Sequence, residues 1–292
     1  MSLKLAPSDY EIYIPIGEWI EGNIKEWLFE QRPLFKKISA PIDTVLNSLE
    51  TLFNFIPFPI ILLIFVVLAY KTNGFKFAIF AFLSLLFIDL VDLWAESMTT
   101  LAMIFTAVIF CMIIGIPLGI LASRSNTFEI ILRPILDIMQ TIPSFVYLIP
   151  IIMLLGIGKV PGLLAVCIYA LPPIVRLTNL GIREVDKETL EASEAFGATP
   201  LQKLKSVQIP LSLPTIFAGI NQTIMMALAM VVIASMIGVK GLGQPVLKAI
   251  TNQYFTMGLL NGLAIVALAI IFDRVSQSFG KRLQQHRSGS RE

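Results

Sequence analysis

Long apolar runs broken by short charged stretches dominate this chain, and most runs are close to the length that crosses a bilayer. They predict membrane-spanning helices at about 54–70, 76–94, 98–122, 142–157, 161–176, 213–238 and 257–273. Two of these, 142–157 and 161–176, are short and meet at the tight turn Gly156-Ile157-Gly158-Lys159, and whether Ile130–Met139 joins the fourth span is left open. Ahead of the first run the pattern is amphipathic. Ile16, Trp19, Ile20, Ile24, Trp27 and Leu28 recur at helical spacing, and Ile42, Val45, Leu46, Leu49, Leu52 and Phe53 do so after Pro41. Two helices lying on the outer membrane surface or on the membrane domain are expected, as a structural brace.

Composition agrees with the pattern. Of 292 residues, 56% are hydrophobic and 14% charged, and the mean hydropathy is +0.80, outside the range of soluble domains. The first fifty residues carry many acids and no early apolar core, so no cleavable signal peptide is expected. The organisation expected is an extracytoplasmic extension at 1–53, two accessory spans at 54–94, a core at 95–275 containing a cytoplasmic loop at 177–212, and a basic cytoplasmic tail at 276–292. Charge supports that orientation. Placing the 177–212 loop inside puts Lys71, Lys76, Arg124, Arg133, Arg176, Arg183, Lys187, Lys203, Lys205 and the tail's basic residues on the inner side. Only Lys159, Lys240 and Lys248 fall in the outer loops after the first span.

The 177–212 loop is itself a polar insert with helix-stop and helix-start signals. Asp186 can cap a helix running to Phe196, and Gly197 suits the left-handed turn that ends it. Thr199, Pro200 and Gln202 then read as a cap, a first helical residue and a capping-box partner, with Pro210 closing the second helix. Thr189, Ala192, Ser193 and Phe196 share one face, and most of them are small enough for another surface to approach closely.

Here the chain resembles the permease subunits of bacterial ABC importers. Their loop pattern is Glu-Ala-Ala, three residues, Gly, nine residues, Ile, any residue, Leu-Pro. It is matched by Glu191-Ala192-Ser193, Gly197, Val207 and Ile209-Pro210, with Ser, Val and Ile replacing Ala, Ile and Leu. The resemblance implies an all-α type I importer membrane domain of about seven spans, whose loop docks on a cytoplasmic ATPase. Glu191, Ala192, Ser193, Glu194, Gly197, Ala198, Ile209 and Pro210 are then the coupling residues. It further implies a homodimeric permease, two ATPase subunits, and an extracytoplasmic substrate-binding protein. ATP and Mg would be held by the partner ATPase, with no cofactor in this chain.

Other chemistries find little footing. Cys111 and Cys167 fall inside spans, the single His286 lies in the tail, and no metal spacing or nucleophile–base pair is present. No phosphate-binding loop occurs, so neither enzymatic activity nor nucleic-acid binding is expected. An ion-coupled carrier is the competing class, but the middle of each expected span is neutral.

Two segments carry polar and aromatic residues at membrane depth. They are the run from Asp137 to Pro150, with Gln140, Thr141, Phe145 and Tyr147, and the run from Gly219 to Met230, with Asn221, Gln222 and Met225. Their Gln-Thr-Ile-Pro-Ser-Phe-Val-Tyr and Gly-Ile-Asn-Gln-Thr stretches resemble the permeases of glycine betaine and proline betaine importers. That resemblance implies a quaternary-amine substrate in osmoprotection, with choline, carnitine or proline as alternatives. Aromatic faces attract methylated ammonium groups, which is consistent with these seven residues lining a path; interhelical packing is the competing role.

Overall fold

A computed structural model describes residues 3–4, 13–14 and 16–288. Strand β1 (Leu3–Lys4) pairs antiparallel with β2 (Tyr13–Ile14), Leu3 lying opposite Ile14. All other elements are helices. Helix α1 (Ile16–Trp19) passes through the wider π-helical segment Ile20–Lys25 into α2 (Glu26–Phe55). Next come α3 (Phe58–Asn73), α4 (Phe75–Leu90), α5 (Trp94–Arg124), α6 (Asn126–Thr141), α7 (Ser144–Leu155) and α8 (Lys159–Arg183). The chain then makes α9 (Lys187–Ala195), α10 (Pro200–Lys203), a π-helical segment Leu204–Gln208, α11 (Ile209–Ser235), α12 (Gly243–Asn252) and α13 (Phe255–Ser288).

The span count differs from the sequence expectation of seven. Among the described residues, four helices are long and apolar enough to cross a bilayer: Trp94–Arg124, Lys159–Arg183, Pro200–Ser235 and Phe255–Gly280. Up to six arise if two bent pairs each count once, Gly22–Phe55 with Phe58–Asn73 (97°) and Asn126–Thr141 with Ser144–Leu155 (98°). The segment expected at 76–94 becomes α4, a helix of 16 residues. It is about 24 Å long at the α-helical rise, short of a hydrocarbon core of about 30 Å. It stops because Asp92 turns left-handed at φ 56°. The expected 142–157 span shrinks to the 12 residues of α7. Ile130–Met139 belongs to the separate helix α6.

Proline accounts for two further corrections. The two amphipathic helices expected on either side of Pro41 are one helix of 30 residues containing both Pro33 and Pro41. Both prolines lie on its exposed side, where water or headgroups can satisfy the carbonyls they orphan. The 161–176 span likewise runs through Pro172 and Pro173 to Arg183, so the first seven residues of the expected 177–212 loop are helical.

The core centres on α5, α8 and α11, which are held close by small residues. A Cβ added to Gly119 of α5 would lie 2.5 Å from Thr178 Cβ and 2.7 Å from the Val175 carbonyl oxygen. At Gly181 of α8 it would lie 2.8 Å from Thr215 Cβ, and at Gly219 of α11 it would lie 3.1 Å from Ile174 Cα. These backbones approach so nearly that only hydrogen fits between them. A second cluster joins α3, α4, α5 and α13 through Leu85, Ile88, Leu101, Leu268 and Ile271. Helix α2 is tied to the start of α8 by Glu50, which pairs with Lys159 and accepts from Thr99 of α5 at 3.3 Å.

Candidate coupling elbow and path segment

Three residues, Glu184 to Asp186, separate α8 from α9. Val185 among them is buried, which fixes the elbow to the body. Asp186 caps α9: one carboxylate oxygen accepts from the Glu188 amide at 3.4 Å, the other from the Thr189 hydroxyl at 3.2 Å. At the other end the Gly197 amide donates to the Glu194 carbonyl (2.9 Å) and the Ala198 amide to the Ser193 carbonyl (3.1 Å). With Gly197 at φ +78°, this is a Schellman stop. Thr199 and Gln202 complete a capping box, the Thr199 amide donating to Gln202 Oε1 at 2.8 Å. Lys203 pairs with Glu194 across the bend, locking the two arms.

The elbow carries α9 without burying any of its residues. Glu191, Ala192, Glu194, Gly197 and Pro210 are exposed, while Ser193, Ala198 and Ile209 are half-buried. The Ser193 hydroxyl donates to the Leu190 carbonyl at 2.7 Å. Phe196 at the bend is 93% exposed and Leu201 is 54% exposed, an apolar tip on a charged projection. Pro210 does not close the second helix as its chemistry suggested. The π-helical turn Leu204–Gln208 widens the backbone just before it, with the Ile209 amide donating to the Leu204 carbonyl, and Pro200–Ser235 is continuous.

The residues expected along a path divide between two faces of α11. Gln140 Nε2 lies 3.7 Å from Met226 Sδ, and Tyr147 Oη lies 3.9 Å from Met230 Sδ, on either side of the α6–α7 break. Thr141 is exposed at that break, and Phe145 is 52% exposed beside it. Asn221 faces α13 instead. Its amide donates to Asp273 at 2.9 Å and its carbonyl oxygen accepts from Ser276. Gln222 and Met225 are exposed near it, and Gln222 borders a cavity of about 300 Å³ with Phe217 and Gln277. The structure therefore brings Gln140 and Tyr147 to one side of α11 and sets Asn221 on another.

Sequence reading passed over a polar node at the elbow end of α6. Glu129 accepts from Arg133 (2.8 Å), Asn179 (3.1 Å) and Arg183 (3.0 Å). The Arg133 hydrogen bond leads the set, with Asn179 and the Arg183 charge, in holding the Glu129 carboxyl below its ordinary range. Arg183 also donates to Asn179 Oδ1 (2.9 Å) and to the Ala122 carbonyl at the end of α5 (2.8 Å). Two turns further along α6, Asp137 pairs with Arg176 at 2.5 Å. These groups border a cavity of about 390 Å³. The spacing of Glu129 and Arg133 was the one sequence signal for the node. The cysteines have structural partners: Cys111 Sγ lies 3.7 Å from the Cys167 carbonyl oxygen, and Cys167 Sγ lies 3.8 Å from that of Ala107.

The structure is thus an apolar helical body that projects a self-capped, exposed elbow. Residues 115–285 match the model of the binding-protein-dependent transport system inner membrane component, and the chain belongs to that family. It is a multi-span permease subunit of an ABC importer, located in the inner membrane and not an enzyme. It is 46% identical over 272 residues to the glycine betaine/proline betaine transport system permease protein ProW of Escherichia coli, covering 93% of this chain and 77% of that one. The glycine betaine/carnitine transport permease protein GbuB of Listeria monocytogenes is 44% identical, with 92% and 96% covered. Among solved structures, an inward-facing MetNI methionine ABC transporter aligns with TM-score 0.57 at 24% identity, over 66% of this chain and 95% of that one. That likeness establishes the fold.

Proposed function

We propose that this chain is the permease of an ATP-driven importer for glycine betaine, proline betaine and related quaternary amines. It works as a homodimer whose two elbows each seat on one ATPase subunit. The observation that carries this reading is the elbow: exposed, capped at every helix end, and tipped by Phe196 on a body that is otherwise apolar. Similarity to the ProW and GbuB permeases over more than nine-tenths of the chain supports the substrate class. The elbow and the tail face the cytoplasm, and the N-terminal helix α2 faces outward where a substrate-loaded binding protein docks. Glu191 and Glu194 make polar contact with the ATPase, and Gly197 sets the angle of the bend. ATP binding draws the elbows together and opens the path outward; hydrolysis returns it inward. Gln140, Thr141, Phe145 and Tyr147 on one side of α11, with Asn221, Gln222 and Met225 on another, line the path in the dimer.

Proteoliposomes holding this permease with its ATPase and binding protein provide the test. Uptake of labelled glycine betaine is expected to require internal or external ATP on the elbow side only, and to persist when ion gradients are collapsed. Uptake driven by a sodium or proton gradient without ATP would overturn the proposal.

A further inference from the structure

The helix that carries Gln140 is attached to the rest of the molecule in an uneven way. Only Leu136 of α6 is buried, whereas α5, α8 and α11 interlock through Gly119, Gly181 and Gly219. At the elbow end, α6 is held by charge. Glu129 receives three donors, and two of them, Asn179 and Arg183, stand one turn apart at the end of α8, Arg183 three residues before the elbow's capping Asp186. Arg183 simultaneously grips the Ala122 carbonyl, so one guanidinium joins α5, α6 and α8. Further along, Asp137 pairs with Arg176 of α8, but both side chains are largely exposed and such a pair holds weakly. Beyond it α6 meets α11 through thioether sulfur, at Gln140–Met226, and then breaks by 98° into α7. Sulfur is a weak acceptor with loose directional demands, so that contact can slide. A charge-assisted, multiply bonded carboxylate resists sliding far more.

We propose that the Glu129–Arg183 node is the pin through which elbow displacement reaches the α6–α7 break. This inference rests on the elbow being the ATPase contact. The two arms of the elbow end in different places: the α9 arm enters α8 and so the node, and the α10 arm continues into α11 and so Met226 and Met230. A change at the elbow therefore acts on α6 from its pinned base, while its far end glides over the α11 methionines and carries Thr141 and the break with it. Glu129, Asn179 and Arg183 are positioning residues: they touch no substrate, and they set how far α6 follows the body. Arg133 differs from them, because its bond to Glu129 stays within α6 and crosses to no other helix.

The experiment uses the full complex with Thr141→Cys as the single thiol, after Cys111→Ala and Cys167→Ala. The rate of labelling by a water-soluble maleimide is compared with and without ATP and Mg. The expected result is a nucleotide-dependent rate in the Glu129 background that disappears in Glu129→Gln and in Arg183→Lys. Uptake per ATP hydrolysed falls about tenfold in those two variants, within the range of coupling energies. Arg133→Ala, which removes a bond of similar length without crossing helices, keeps the response. Loss of the response in Arg133→Ala as well would show that the node acts only by stabilising α6, and would overturn the proposal. So would an undiminished response in Glu129→Gln, or a rate blind to ATP in a complex that still imports. If ATPase fails to co-purify even with the unaltered node, the elbow reading fails first, and the pin with it.

Discussion

Helices α8 and α11 meet through glycines, backbone against backbone, while α6 and α7 meet α11 through flexible apolar side chains and two polar contacts to methionine sulfur. The first contact leaves little room for adjustment, because a single added methyl collides at Gly181 and is crowded at Gly219. The second spans 3.7 and 3.9 Å at flexible thioethers and can re-form over a range of positions. A protein pushed from one end needs both kinds. In the proposed mechanism, force enters a body that does not deform, and the path lies where deformation costs little. The elbow belongs to the stiff part: its caps and Schellman stop leave its helix ends few free backbone groups, and the Lys203–Glu194 side-chain pair ties its two arms.

The severest test of that division is Gly197→Trp. No atom lies within 4 Å of a Cβ built there, so the only structural penalty is the left-handed backbone, about 1–2 kcal/mol. Membrane insertion and folding should survive that cost. Transport should not, because in the proposed mechanism the bend sets the angle at which the elbow meets the ATPase. Uptake is expected to be abolished while ATP hydrolysis by the mixture no longer responds to substrate-loaded binding protein. Normal uptake in this variant would remove the elbow from the mechanism and dissolve the contrast between the two regions.

A substitution inside the stiff pair should show the opposite profile. Gly181→Val places atoms where Thr215 Cβ is already 2.8 Å from the first added carbon. Overpacking of this kind costs about 1–3 kcal/mol. The expected outcome is a lower yield and earlier thermal loss of the monodisperse permease in detergent, with whatever folds remaining coupled. A variant that folds normally yet hydrolyses ATP without importing would mean that α8 and α11 move against each other after all.

How much of this could be read from residues alone depended on whether the signal was local. Asp186, Gly197, Thr199 and Gln202 act on backbone groups within three or four positions, and the elbow follows from them. Proline misled because its effect is settled by surroundings. Pro41 sits on an exposed face, and Pro210 follows a π turn that no spacing rule anticipates, so neither ends a helix. The node was hidden for a related reason. Glu129 and Arg183 are more than fifty residues apart and join only when α6 folds back along α8. Asp273, the carboxylate that receives Asn221, was likewise one polar residue at the end of an apolar run until α11 and α13 were set together.

Smaller effects probe the compliant side. Met226→Leu keeps volume and removes the sulfur that faces Gln140, at a cost below about 1.5 kcal/mol. Thermal stability should barely move, while glycine betaine uptake should slow several-fold with little change in KM, because a branched side chain slides less readily than a thioether. If the variant instead melts early with unchanged uptake, the Met226 contact is ordinary packing and the compliance must lie elsewhere along α7.

The faintest expected signal is the response of the node to acid, and its sign is fixed by the direction of the Glu129 shift. A carboxyl whose folded pKa is lowered adds stability that is fully present above its unfolded pKa, near about 4.3 for glutamate. That stability is lost only as pH falls through the lower folded value. The difference in thermal stability between the parent and Glu129→Gln should therefore stay constant from pH 8 to about pH 5 and shrink below that. A difference that collapsed between pH 7 and 6 would place the carboxylate in an environment without its three donors. The pinned base of α6 would then be no firmer than its sliding end.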